Sequence, residues 1–320
     1  MRLQAIEHFI TIVETGSIRS AARTLGMSQP ALTRSLQQLE SDLGVVLMQR
    51  GVHGASLTLA GTTFLARARV AQSELRKAVE EAKSAITGAS ALLNIGLSPV
   101  AGSLLLPEFV TSLHLQQPRT RIRILQMPPS ALLSMVRDSA ADLAVTQRTR
   151  ANIDAGLQFR PLLDIQLRIG ARPGHPLAGR RELRELADSL WLAPTAPGIS
   201  DDIISQSFAA IGMPTPVPTV HCGSNAVLID LAAVTDMLVP LPPQLLRSCV
   251  ASGKLIEISL SKPLVPLIVG LYIRANSVPT PTTKAAMQII VAIARRLTLS
   301  GELRSTTPIS PGKRTRASIG

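Results

Sequence analysis

The chain has 320 residues, 46% of them hydrophobic and 17% charged. That balance excludes a disordered chain, and the length exceeds what one core commonly serves, so two or three units are expected. A formal charge of +12 favours polyanion partners; aromatics at 2% exclude the base-stacking platforms of single-strand binders.

From the N-terminus, Leu3, Ile6, Phe9/Ile10 and Val13 recur at helical spacing, which predicts an amphipathic helix over 2–15. Thr15-Gly16 ends it. Ser17 then caps a second helix, Ile18 to Leu25, whose small centre (Ser20, Ala21, Ala22) lets another helix approach closely. Gly26 follows in the position where a positive φ costs least. Ser28 caps a third helix. Pro30 falls in its first turn, where the missing N–H has no intrahelical partner, so it starts the helix and does not break it.

Leu32, Leu36, Leu39 and Leu43 form the buried stripe of that third helix. Pro30, Arg34, Gln37 and Ser41 point the opposite way, with Thr33 and Gln38 flanking. Two helices joined by a tight Gly turn, the second bearing Gln, Thr and Arg on its free face, make a helix-turn-helix. Gln and Arg can pair with purine edges in the major groove, and Thr can reach a base or a phosphate. The plainer reading is three packed helices with a solvated polar face.

After Gly44 the sequence reads as a strand, a tip with Gly51 and Gly54, and a second strand ending near Thr58. This is a wing, with Arg50 placed to neutralise a phosphate and His53 a solvated tip residue. From Thr62 to Thr87, Phe64, Ala68, Ala71, Leu75, Ala78, Ala82 and Ala85 keep a heptad for three repeats. Such Ala-rich positions suit a dimer seam better than an isolated helix.

These residues resemble the DNA-binding domain of LysR-type transcriptional regulators. The resemblance rests on "SQPALTR" (Ser28 to Arg34), "LESDLG" (Leu39 to Gly44), "LMQR" (Leu47 to Arg50) and "LTLAG" (Leu57 to Gly61). Thr33 stands where the family commonly has Ser, and Met48 where it has Phe. Further on, "LLNIGLS", "LLPEFVTSLHLQQP", "ADLAV", "FRPLL" and "ARPGHPLAG" are similar, in order, to the family's effector domain, so the resemblance covers residues 1 to about 298.

The resemblance implies an α/β protein with an N-terminal all-α winged helix-turn-helix domain (1–61) and a long linker or dimerisation helix (62–88). An effector domain over 89–300 would follow, like a two-subdomain periplasmic binding protein: subdomain I at about 91–162 and 267–300, subdomain II at about 163–266. It implies promoter DNA and a small effector as partners, and a homodimer or homotetramer. RNA polymerase joins them if the protein activates transcription.

In the effector half, residues 91–300, strand-like and helix-like segments alternate, beginning with "LLNIGL" and running through "ADLAV", which predicts parallel α/β sheets. Ligands of that class collect at strand carboxyl ends and helix N-termini, where free N–H groups suit an anion. Ser98 and Thr146 end strands there; Pro197, in "APTAPGIS", and Ser224, before another helix, match the family's cleft-lining segments. The candidate effector residues are therefore Ser98, Thr146, Pro197 and Ser224. The candidate DNA contacts are Ser28, Gln29, Pro30, Thr33, Arg34, Gln37 and Arg50. One departure is Asp236, in "LAAVTDMLVPLP", where the family often has Gly; it either meets the cleft or caps a turn.

Other classes fare worse. A solute-binding protein without DNA function leaves the whole N-terminal unit unexplained, and Glu7, His8 and Glu14 interrupt what a signal peptide would need. The five histidines have no metal spacing, and there is no G-x-S-x-G, phosphate-cradling Gly loop or C-x-x-C, so neither an enzyme nor a cofactor is expected. His175 reads as a turn residue. Cys222 and Cys249 make no disulfide framework, lack basic neighbours, and point to a reducing cytoplasm. No run approaches the roughly 18 apolar residues of a membrane span. The tail 301–320 is basic and without period, and is expected to be disordered.

Overall fold

The computed structural model describes residues 2–51, 54–87, 91–148, 156–194 and 203–299. Two compact units are present: Met1–Ala89 with Asp138–Ala140, and the remainder from Ser90 onward.

In the first unit α1 (Leu3–Thr15) ends at Gly16, whose φ of 73° is the left-handed turn a glycine supplies cheaply. Its buried face holds Ile6, Phe9, Ile10 and Ile12, while Leu3 is 60% exposed. The expected stripe thus begins one turn later, with Leu3 outside it. α2 (Ile18–Thr24) is capped by Ser17, whose hydroxyl accepts from Ser20 N–H, and it buries Ala21 and Ala22. α3 (Gln29–Leu43) starts at the Ser28 cap with Pro30 in its first turn and stops at Gly44, again left-handed. Leu32, Leu36 and Leu39 are buried against α1 and α2, and Leu43 is half-buried.

The wing is a hairpin of β1 (Met48–Gly51) and β2 (Gly54–Leu57), antiparallel, with Met48 opposite Leu57. α4 (Leu59–Thr87) begins three residues before the expected Thr62. The reason is Thr58, whose Oγ1 accepts from Gly61 N–H at 2.9 Å and so caps the helix. Phe64 packs on Phe9 with ring centroids 5.7 Å apart.

The second unit is built on two five-stranded sheets. Its elements run β3 (Leu92–Leu97), α5 (Pro99–Gln116), β4 (Arg121–Gln126), α6 (Pro129–Arg137), β5 (Leu143–Gln147) and β6 (Leu157–Ile165). The chain then enters the other sheet with β7 (Arg168–Ala171), β8 (Leu190–Ala193), α7 (Ile203–Ala210), β9 (Val220–His221) and α8 (Asn225–Val234). β10 (Met237–Leu241), α9 (Pro243–Ala251) and β11 (Ile256–Ile258) complete that sheet, before β12 (Leu267–Arg274) and α10 (Pro281–Leu299) return to the first.

Strand orders are β4-β3-β5-β12-β6 and β11-β7-β10-β8-β9. The sheets are mixed, which corrects the expectation of parallel ones. β3, β4 and β5 are parallel, as are β8, β9 and β10, but β12 runs antiparallel to β5 and β6, and β7 antiparallel to β10 and β11. The odd strands, β7 and β12, are the ones by which the chain enters a sheet from the other sheet. Gly270 interrupts the β12–β6 register; a Cβ there would lie 2.2 Å from the Phe159 ring and 2.5 Å from the Arg160 carbonyl oxygen. Trp191 and Phe208 meet edge to face at 6.1 Å beneath the second sheet.

Candidate nucleic-acid interface and ligand cleft

The leucine stripe turns one side of α3 inward, so its other side must face solvent. Ser28, Gln29, Pro30, Arg34 and Gln37 are exposed, and Thr33 is half-buried. Arg34 and Gln37 make no side-chain hydrogen bond to another described residue, which leaves their full donor sets available. Thr33 Oγ1 donates back to the Gln29 carbonyl at 3.0 Å. Gln38 is engaged, donating to Asp42 Oδ1 at 2.8 Å, and that bond holds the Asp42 carboxyl below its ordinary value. Arg50 stands on β1 opposite Ala55; its side chain, and the whole of His53, lie outside the described residues.

The turn from α3 to the wing is tied by Glu40, whose Oε1 accepts from Leu47 N–H at 2.7 Å and Met48 N–H at 3.0 Å. Across it, Thr58 Oγ1 donates to the Val46 carbonyl at 2.7 Å. Gly61 passes so close that a Cβ there would sit 2.0 Å from the Leu47 carbonyl oxygen. The glutamate of "LESDLG" and the last glycine of "LTLAG" therefore fix where the wing starts relative to the helix before it.

In the second unit a cavity of about 70 Å³, room for a few water-sized groups, opens at the carboxyl ends of β3, β4, β5 and β8. Its lining is Ser98, Pro99, Val100, Gln126, Met127, Pro128, Pro129, Gln147, Pro194 and Gly223. Among the described residues no ionised side chain lines it. The polar groups are instead hydroxyl, amides and the first turns of α5 and α6, with Gly223 just ahead of α8; none of the three first turns carries an acidic residue.

Of the sequence candidates, Ser98 lines this cavity, 1% exposed, and caps α5 by accepting from Ala101 N–H at 3.4 Å. Thr146 is fully buried and does not line it; its hydroxyl donates to Gln147 Oε1 at 3.1 Å and so orients the amide that does. Ser224 caps α8 beside the lining residue Gly223. Pro197 lies outside the described residues. Gln126, the Pro128-Pro129 pair and Pro194 were missed. Gln126 and Pro194 stand at strand ends and the Pro128-Pro129 pair at the start of α6, brought in by sheet order, for which local spacing has no signal. Asn225, also missed, reaches across and donates Nδ2–H to the Pro99 carbonyl at 3.3 Å, joining the first turn of α8 to that of α5.

Asp236 meets neither the cleft nor a turn of its own. It precedes β10, at the end of the parallel strands away from the cavity, and pairs with Arg172 at 2.7 Å. His175, buried, accepts from Leu177 N–H through Nδ1 at 3.1 Å and places Nε2 3.3 Å from the Asp236 carbonyl. Both belong to one structural corner. Cys249 is buried in the second sheet's core, where burial raises its thiol pKa against a smaller opposing pull from Lys254.

Among the described residues no helix is long and apolar enough to cross a membrane. The family model for bacterial regulatory helix-turn-helix proteins of the lysR family matches residues 3–62, and that for the LysR substrate binding domain matches 87–295. The HTH-type transcriptional regulator GalR of Pseudomonas putida is 28% identical over 287 residues, covering 89% of this chain and 72% of that protein. A full-length OxyR variant from Pseudomonas aeruginosa superposes with a TM-score of 0.68 at 21% identity, covering 97% of this chain and 99% of that one. Full-length CbnR complexed with its target DNA gives a TM-score of 0.63 at 19% identity, covering 92% and 99%. The chain therefore belongs to the LysR family, as a DNA-binding transcriptional regulator with an effector-binding domain and not an enzyme.

Proposed function

We propose that α3 reads promoter DNA through Gln29, Thr33, Arg34 and Gln37, with Ser28 and Pro30 at its entry and Arg50 of the wing on a phosphate. The exposed, unengaged Arg34 and Gln37 on a helix held by its leucines support this reading. Arg and Gln are the side chains that make paired bonds to guanine and adenine edges. The DNA-bound CbnR structure is a precedent for the fold in that role.

The cavity is the effector site, and its ligand is a small anion. One observation carries this: the cavity is lined by the first residues of α5 and α6 and by Gly223, just before the α8 cap, and among the described residues its lining holds no acidic side chain. Each terminus presents free N–H groups and the equivalent of about half a positive charge. Ser98 and Gln147 supply further polar contacts, Ser224 acts from the α8 cap, and Pro197, outside the described residues, is the fourth candidate contact. A cavity of about 70 Å³ suits a ligand of a few heavy atoms.

On α4, Ala71, Leu75, Ala78 and Val79 are exposed in the first unit, with Leu75 at 46% and Val79 at 53%. An apolar seam of that kind supports assembly as a homodimer or homotetramer in the cytoplasm, with RNA polymerase as partner where the protein activates transcription. The effector reading is tested by thermal shift of the full chain with small carboxylates, sulfonates and phosphates, against amines of equal size. At least one anion raises Tm in proportion to the logarithm of its concentration, and Ser98→Ala weakens the response. Stabilisation by the amines alone, or by neither class at millimolar concentration, overturns it.

A further inference from the structure

Across α1, α2 and α3 a single polar side chain is buried: His8, 5% exposed. It lies one helical turn from the buried Ile12, on α1, and its Nδ1 stands 2.8 Å from Ser35 Oγ on α3. Ser35 immediately follows Arg34 in the sequence and sits at the edge of the leucine stripe. The nearest exposed ends of α3 are thus one residue from a directional bond to the helix behind it.

Leucines set how far α3 stands from α1, but they do not set its rotation. Dispersion contacts are individually weak and lack direction, so Leu32, Leu36 and Leu39 tolerate a small roll. A roll of about 15° carries a side-chain tip roughly 6 Å from the helix axis by about 1.5 Å. That is enough to break a paired hydrogen bond to a base edge, while a flexible contact to a phosphate survives it. The His8–Ser35 bond is part-buried, with its histidine side inside, and it resists such a roll because breaking it leaves a buried ring nitrogen unsatisfied.

We propose that His8, through its bond to Ser35, is a positioning residue for DNA recognition: it holds the rotation of α3, and hence Arg34 and Gln37, in the register that reads bases. It touches no DNA. The proposal rests on α3 being the reading helix.

The test uses the full chain and a duplex selected by the wild-type protein from a random-sequence library, against a scrambled duplex of the same length. His8→Phe keeps the ring's bulk and loses the bond. His8→Asn loses bulk and keeps the bond, because Asn places a polar atom where the imidazole has Nδ1. Ser35→Ala removes the bond from α3 itself with a residue that helices favour.

His8→Phe and Ser35→Ala are expected to lower affinity for the selected duplex about three- to tenfold and to leave the scrambled duplex unchanged, since that binding follows charge. Their double variant is no worse than either alone. His8→Asn keeps more selectivity than His8→Phe although its Tm is lower. Loss of selectivity that tracks Tm across the series overturns the proposal, as does wild-type selectivity in Ser35→Ala, the variant that decides if His8→Phe does not fold. Arg34→Ala separates the two ideas. If it keeps selectivity, α3 is not the reading helix and the proposal falls with it; if it loses selectivity while Ser35→Ala does not, the proposal alone fails.

Discussion

Glu40 Oε1 accepts the backbone N–H of Leu47 at 2.7 Å, seven residues along the chain, and so joins the last turn of α3 to the approach of the wing. The same oxygen takes the Met48 N–H at 3.0 Å. A single carboxylate thereby satisfies two donors that the turn leaves without a strand partner.

Glu40→Ala removes the one oxygen that accepts both bonds. Unsatisfied donors of this kind cost about 1–3 kcal/mol together, so the thermal midpoint of the N-terminal unit falls. Glu40→Gln keeps an acceptor oxygen and falls between the two. Equal stability for Glu40→Ala and wild type in a denaturant series shows that the two bonds add nothing.

Gly61→Ala places a methyl group 2.0 Å from the Leu47 carbonyl oxygen, which is backbone and cannot swing away. Either α4 or the loop before β1 must move, and overpacking of that kind costs about 1–3 kcal/mol or more. The urea midpoint of the N-terminal unit is the measurement. A midpoint within error of wild type means that the close approach relaxes freely.

Arg34 and Arg50 are predicted to fail differently. Arg34→Ala lowers affinity for a selected duplex by about 1–3 kcal/mol and relaxes preference at one base position. Arg50→Ala weakens binding evenly across sequences and reduces the salt slope by about one. Gel-shift titrations at several salt concentrations separate the two, and identical slopes for both variants contradict the assignment.

Cys249 is the less reactive thiol at neutral pH. Burial raises its pKa, so the folded protein holds it as the unreactive thiol. Because the folded value exceeds the unfolded one, its contribution to stability is intact below the ordinary thiol range and declines as pH rises through the folded value. Cys222, half-buried, is expected to be alkylated first when the native chain is treated with iodoacetamide and its peptides are weighed. Faster labelling at Cys249 reverses the order.

The parts of this molecule legible in sequence are those fixed by neighbours along the chain. Ser17, Ser28 and Ser98 act as the caps their positions imply, and Gly16 and Gly44 turn left-handed where helices must stop. Strand direction was not legible for β7 and β12, since it depends on which sheet the chain has just left. The cleft was half legible: Ser98 carries a local signature, whereas Gln126, Pro194 and Asn225 come together only through sheet order. The His8–Ser35 bond spans 27 residues and leaves no mark in either helix's periodicity, where a histidine reads as solvent-facing.

β12 has a consequence for the order in which the protein comes into being. It lies between β5 and β6 in the finished sheet, yet it is synthesised about a hundred residues after either of them. Until Leu267–Arg274 has left the ribosome, that sheet exists as two pieces with open edges, and α10 is not there to cover it. The helix-turn-helix unit needs nothing beyond the early part of α4 for its core and is complete far sooner. A nascent chain therefore owns a finished reading head while its sensory sheet still has a gap. A stop codon before residue 267 yields a regulator with its address intact and its receiver unbuilt.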